Sequence, residues 1–196
     1  MMKTVFLTLL LTVCGILSAE PLYTFPGDKF GKGPGLTVKG NTIGFAPVSR
    51  MYIEKKFDPA GGCFELTAKF HPEPANAKEK RLHYLWSVKG NKRTVASGVI
   101  SEHGGKYNLN FYVFDTKLKP ISCACMVKFP ADKSVKLAFI WDTQSIAIKV
   151  NGILFAKKNF TAKLQPGESF MIGTAQKDRS LIPMTLEKVK LYSPKQ

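Results

Sequence analysis

Tyr84 and Trp86 stand two residues apart, and in an extended chain that spacing puts both rings on one face of a strand. Arg81, Lys89, Lys92 and Arg93 surround them in the sequence. Aromatic faces flanked by polar groups are the chemistry of sugar recognition: the ring packs on the C–H face of a pyranose and its neighbours bond the hydroxyls. Tyr84, Trp86, Arg81, Lys89 and Arg93 are therefore the candidate ligand-binding set. Tyr52 and Tyr112 extend it, each lying opposite the apolar set of its own strand. The competing reading is structural, because large aromatics fill the interiors of β-proteins. It is the reading for Trp141, which continues the Val135, Leu137, Phe139 series at period two; for Tyr84 and Trp86 both stay open.

Other chemistry is thin. Glycosidases need two carboxylates about 5–10 Å apart, yet Glu65 stands alone in its segment, Glu54 is followed only by lysines, and Glu187 lies near the C-terminus. His83 and Tyr84 are adjacent and would point to opposite faces. Gly31, Gly33 and Gly35 form a glycine-rich loop with no Gly-Lys-Ser/Thr after it, and no Gly-x-Ser-x-Gly occurs. Cys63, Cys123 and Cys125 are the disulfide candidates: Cys123 and Cys125 share a strand face about 7 Å apart, too far to pair with each other, while either would reach Cys63 from a neighbouring strand. The plainer reading makes them small buried hydrophobes. His71, His83 and His103 are scattered, so no zinc site is expected. No cofactor is expected either. Asp115, Asp142 and Asp178 are lone loop acids, which are ordinarily turn formers.

The elements that must hold these residues are strands. From Leu22 to Tyr192 the chain alternates apolar and polar residues, as in Tyr107, Leu109, Phe111 and Val113, or Ile146, Ile148 and Val150. Asn151-Gly152 is a strong hairpin signal, since a type I′ turn needs positive φ at both central positions. Asp142–Ser145 makes a second turn and completes a three-strand meander from Val135 to about Lys158. Further strands are expected at 36–39, 42–46, 51–57, 63–70, 82–88, 96–101, 121–129, 169–172 and 185–192. No ten-residue stretch carries a helical apolar stripe. The expectation is a single all-β domain, a two-sheet antiparallel β-sandwich of jelly-roll type.

Ser134–Asp142, a short turn and Ile146–Leu154 together resemble the "aliphatic strand, Trp-Asp, turn, strand, Asn-Gly" core of concanavalin A-like lectin/glucanase domains, the laminin-G-like superfamily. Ser169–Gly173 is similar to its next strand, Glu187–Tyr192 to its closing strand, and Gly62–Phe70 to an early one. The resemblance implies the jelly roll and little about ligand, because this fold hosts lectins, glycosidases, lyases and inert spacers. Several of its members bind calcium through loop acids, so the resemblance also makes calcium an expectation at Asp115, Asp142 and Asp178. The Glu-x-Asp-x-x-Glu run of its laminarinase-type members is absent, as are the His, Tyr and Arg clusters of its alginate-lyase-type members.

Composition sets the context. The 196 residues are 44% hydrophobic and 22% charged, which excludes wholesale disorder. Residues 1–19 read as a secretory signal peptide, with a basic start at Lys3, an apolar run from Thr4 to Leu17 and small Ser18-Ala19 before Glu20-Pro21. The run is shorter than a spanning helix, so a secreted, periplasmic or extracellular domain at 20–196 with no transmembrane segment is expected. The formal net charge is +15, and the signal would remove only Lys3 from it. The excess is shared almost evenly along the chain and supplied mostly by Lys, with Arg50, Arg81, Arg93 and Arg179 the only arginines. That is poor for bidentate phosphate or base recognition, so nucleic acid is not expected as a partner. The leading expectation is a non-catalytic module that binds carbohydrate or a cell-surface polyanion, acidic polysaccharide included. The alternatives are a polysaccharide hydrolase or lyase of the same fold, and a structural protein-interaction domain.

Overall fold

A computed structural model describes residues 20–71, 80–91, 93–103, 106–130, 133–173 and 182–194, with the side chains of Lys80 and Arg81 excepted. The residues of the expected signal peptide, and Lys78, Lys92 and Asp178, lie outside these. Fifteen strands and no helix make up the described residues. They run β1 Tyr23–Phe25, β2 Gly31–Lys32, β3 Leu36–Lys39, β4 Thr42–Phe45, β5 Arg50–Ile53, β6 Gly61–Phe70, β7 Lys80–Lys89 and β8 Thr94–His103. There follow β9 Lys106–Phe114, β10 Pro120–Val127, β11 Ser134–Asp142, β12 Ser145–Val150, β13 Ile153–Asn159, β14 Ser169–Gly173 and β15 Met184–Tyr192.

The strands form two antiparallel sheets. One has eight strands in the order β13-β12-β11-β6-β15-β4-β3, with β1 also paired to β15; the other has seven, β10-β9-β8-β7-β14-β5-β2. The all-β sandwich expected from alternation is therefore the fold. One face of each strand is buried between the sheets: Phe64, Leu66, Ala68 and Phe70 from β6, Val135, Leu137, Phe139 and Trp141 from β11, Leu109, Phe111 and Val113 from β9. The opposite face of each strand looks outward, and that is where a site must be sought.

Local chemistry fixes the turns. Asn151 and Gly152 adopt φ of 50° and 86°, as the type I′ turn requires. The Asn151 side chain also accepts from the Lys136 amide at 2.9 Å, tying the hairpin to β11. Asp142 accepts from the amides of Gln144 and Ser145, at 2.6 and 2.5 Å, and from the Ser145 hydroxyl at 2.8 Å. Trp141 is core, its Nε1 donating to the Asp58 carbonyl at 2.7 Å while its ring stacks on Phe57 at 4.7 Å.

Two expectations need correcting. The strand expected over 51–57 stops at Ile53, and Phe57 makes only an isolated bridge to Gly167. More consequentially, Trp86 is not on the Tyr84 face. Between Tyr84, opposite Val99, and Trp86, opposite Gly98, the register slips by one residue, so β7 bulges at Leu85. The bulge turns both Leu85 and Trp86 into the core, where Trp86 is 0% exposed among Phe64, Phe111, Phe139 and Phe170. Gly98 makes this possible: a Cβ there would run into the Trp86 indole and the Phe139 ring.

Candidate functional site

The outward face of the seven-stranded sheet carries a row of side chains in register across all its strands. Ser122, Tyr112, Ser97, Ser87, Met171, Tyr52 and Gly31 are successive cross-strand partners from β10 to β2. Tyr84, Val99, Asn110 and Ala124 form the adjoining row. Tyr52, Tyr84 and Tyr112 are half-buried, and between them Ser87, Ser97 and Asn110 are buried although hydrophilic. They are small side chains set between larger neighbours. Asn110 donates to the Ser101 hydroxyl at 3.2 Å and to the Asn108 carbonyl at 2.8 Å, which orients its amide.

Tyr52 and Tyr112 stand four strands apart, about 19 Å at the usual strand spacing. The face thus offers rings at separated points over a floor of hydroxyls and amides, the arrangement for a polar ligand with apolar faces. Among the described residues it presents no carboxylate. His83 does not contribute to it: the ring turns inward, as adjacency to Tyr84 predicted, and meets Glu102 at 3.1 Å with both side chains buried. Among the described residues, no acid pair of the kind a glycosidase uses lies on this face, and Arg50, two residues before Tyr52 on β5, shares it.

The cationic candidates sit elsewhere. Lys89 ends β7 and is exposed, its carbonyl accepting from the Glu168 amide at 2.7 Å. Arg93 lies in the β7–β8 turn, closed by the Gly90 amide donating to the Arg93 carbonyl at 2.7 Å. It lines a cleft of about 490 Å³ at that end of the sandwich, together with Lys56, Asn91, Gln165 and Glu168. Arg81 has its backbone in β7 opposite Glu102, and its side chain lies outside the described residues. Of the five ligand-binding candidates, then, only Tyr84 has its ring on the tyrosine face. Lys89 and Arg93 lie toward one end of β7, and Trp86 is core. Tyr52 and Tyr112 carry the rest, with Ser87, Ser97 and Asn110, which sequence reasoning did not single out because nothing local marks a buried serine.

The disulfide expectation is also corrected. Cys63 lies on the outward face of the eight-stranded sheet against Ala138 and Tyr192, whereas Cys123 and Cys125 point inward from β10, the edge of the other sheet. Their strands are not neighbours, and all three are free, buried thiols. Burial pushes the Cys63 and Cys123 thiols up to about 12, with Glu65 adding to the effect on Cys63, and raises Cys125 as well. Asp115 is a turn former, accepting from the amides of Lys117 and Lys119 at 2.8 Å each. Asp142 is likewise engaged by its own turn. The described residues contain no group of three or more His, Cys, Asp or Glu placed to hold a metal, and no helix long and apolar enough to cross a membrane.

No family model and no curated protein matches the chain. Solved structures are similar to it in fold. The botulinum neurotoxin type G receptor binding domain superposes with a TM-score of 0.66 at 9% identity, over 91% of this chain and 49% of that one. The binding domain of Paraclostridial Mosquitocidal Protein 1 gives 0.61 at 12% identity, over 86% and 44%. The Emp46p carbohydrate recognition domain gives 0.61 at 9% identity, over 90% and 98%. The chain therefore spans about half the length of the two toxin domains and nearly all of the third. At such identities the likeness is one of fold, an all-β lectin-like jelly roll.

Proposed function

We propose that this chain is a secreted, non-catalytic glycan-binding module of the concanavalin A-like superfamily, exported after loss of residues 1–19. The observation that carries the reading is the outward face of the seven-stranded sheet, where Tyr52, Tyr84 and Tyr112 stand over Ser87, Ser97 and Asn110. The rings pack on pyranose faces while serine hydroxyls and the Asn110 amide bond the sugar hydroxyls. A row about 19 Å long suits an oligosaccharide lying across the strands better than a single sugar. Similarity to a receptor binding domain and a carbohydrate recognition domain supports the same reading. Acidic glycans enter through the charge: the lysine excess draws them in, and Arg93 with Lys56 at the end cleft offers them cations.

A glycan array holding neutral, uronic and sulfated oligosaccharides, probed at low and high salt, tests the reading. Binding is expected, with a stronger salt dependence for the acidic members. Tyr84→Ala and Tyr112→Ala should each weaken it by about tenfold, the cost of losing one well-placed aromatic contact. No binding on the array, or binding indifferent to both substitutions, would overturn the proposal.

A further inference from the structure

A second concavity lies on the open side of the sandwich, where the edge strand β10 of one sheet approaches β12 and β13 of the other. It is a cleft of about 670 Å³, within the usual size range for a small-molecule site. Its walls are apolar: Met126, Tyr107 and Phe129 on one side, Phe155 on the other. Val127 and Val150 also line it, Lys106 and Lys128 are its charged members, and no described carboxylate joins them. Phe129 packs against Phe70 at 4.4 Å and Tyr107 at 5.2 Å, so this wall is anchored to the core.

The Phe155 side is built differently. Ile148 pairs with Ala156 and Lys149 with Leu154, leaving Phe155 as the extra residue of a β-bulge in an edge strand. Such bulges re-aim side chains, and this one sets Phe155 in the lining at 51% exposure, with Met126 58% exposed in the same lining. Large apolar side chains left that open at the rim of a cleft mark a surface with an occupant.

We infer that this cleft binds a single-chain anionic amphiphile, its hydrocarbon chain held between Phe155 and Met126 and its carboxylate or phosphate head met by Lys106 and Lys128. The charge decides the class: two ammonium groups beside an otherwise apolar cleft bind an anionic head more strongly than a neutral one, because both partners of the contact are then ionised. The shape decides the form. Walls on two sides enclose one chain, whereas a bilayer surface calls for apolar side chains that protrude from a convex face.

Isothermal titration with dodecanoate and dodecyl phosphate, each below its micellar concentration, tests this. Dodecanol and vesicles of phosphatidylglycerol form the two contrasting arms. Saturable one-to-one binding of both anions is expected, at least about tenfold tighter than dodecanol, the ratio one charge-assisted contact supplies. Phe155→Ser and the Lys106→Glu/Lys128→Glu pair should each weaken it by about tenfold or more. These residues are exposed, so an unchanged near-ultraviolet spectrum and unchanged binding of a neutral glycan report an intact fold. Failure to bind either monomeric anion, equal binding of dodecanol, binding unaffected by the substitutions, or capture by vesicles alone would each overturn the inference, and none of them bears on the tyrosine face.

Discussion

Across the outward face of the eight-stranded sheet, charge dominates. Lys136 reaches Glu65 at 2.8 Å, Lys69 approaches Glu187 at 4.0 Å, and Lys190 lies 5.8 Å over the Tyr192 ring. Across the outward face of the seven-stranded sheet, tyrosine, serine and asparagine fill the central rows, with Arg50 beside Tyr52 on β5 and Lys106 at the start of β9. Both faces back onto one continuous core and obey the same alternation, so the fold does not dictate the contrast. It teaches that the ion-paired lysines and the residues suited to stacking are concentrated on different sheets. Under the proposed function, attraction of an acidic partner and recognition of its sugar rings would be separable tasks, which the sequence had joined around Tyr84 and Trp86.

The largest effect should come from the residue that left the tyrosine face. Trp86→Ala empties a site surrounded by four phenylalanine rings, and such truncations cost about 3–5 kcal/mol. Urea unfolding should show a loss of this size, with the folded fraction still binding glycan if Tyr52, Tyr84 and Tyr112 hold the site. A Trp86→Ala protein of native stability that no longer binds sugar would return Trp86 to the face and break the comparison.

The bulge that separates Trp86 from Tyr84 also marks what a sequence conceals. Alternation revealed most of the longer strands, the Asn151-Gly152 hairpin, and the outward placement of Tyr52 and Tyr112, because each is a property of neighbours along the chain. The slip at Leu85 is not. It depends on Gly98 lying across from Trp86 and admitting an indole where any Cβ would collide. The row from Ser122 to Gly31 was hidden for a related reason: it requires the pairing of seven strands distant in sequence, and Ser87 and Ser97 acquire meaning only beside the tyrosines that register brings to them. Cys63 follows the same logic. Alternation with Phe64 turns it away from the core, but which strands flank it, and hence that no other cysteine is near, is a matter of topology.

Cys63 supplies the next prediction, now on the charged face. Its thiol is held at about 12, chiefly by burial, against an ordinary value near 9. A folded-state value raised above the unfolded one gives stability that is complete below pH 9 and is lost as pH rises toward 12, because only the unfolded thiol ionises in that window. From pH 9 to 10 this one group should cost about 1 kcal/mol. The decline in urea midpoint over that interval should be shallower in Cys63→Ala than in the parent. Equal slopes would mean that the thiol ionises as easily folded as unfolded, and that this part of the face is wetter than the packing of Cys63 under Tyr192 and Ala138 implies.

The smallest effect tests the comparison most directly. Lys69 and Glu187 meet at the 4.0 Å limit of an ion pair, with side chains 42% and 30% exposed. Exposed pairs of this kind contribute about 0–1 kcal/mol, and this one, long and well hydrated, belongs at the low end. Glu187 has a second partner in the Ser134 hydroxyl, which donates to it at 2.7 Å, so losing the lysine does not strand the carboxylate. Lys69→Ala should therefore change stability by less than about 0.5 kcal/mol and leave affinity for neutral glycans untouched. Its effect on acidic glycans should be a slightly slower association that disappears at high salt, since one charge has left a diffuse field. If Lys69→Ala instead abolished binding of a neutral oligosaccharide, the charged face would be the recognising one, and the division of labour between the two sheets would be reversed.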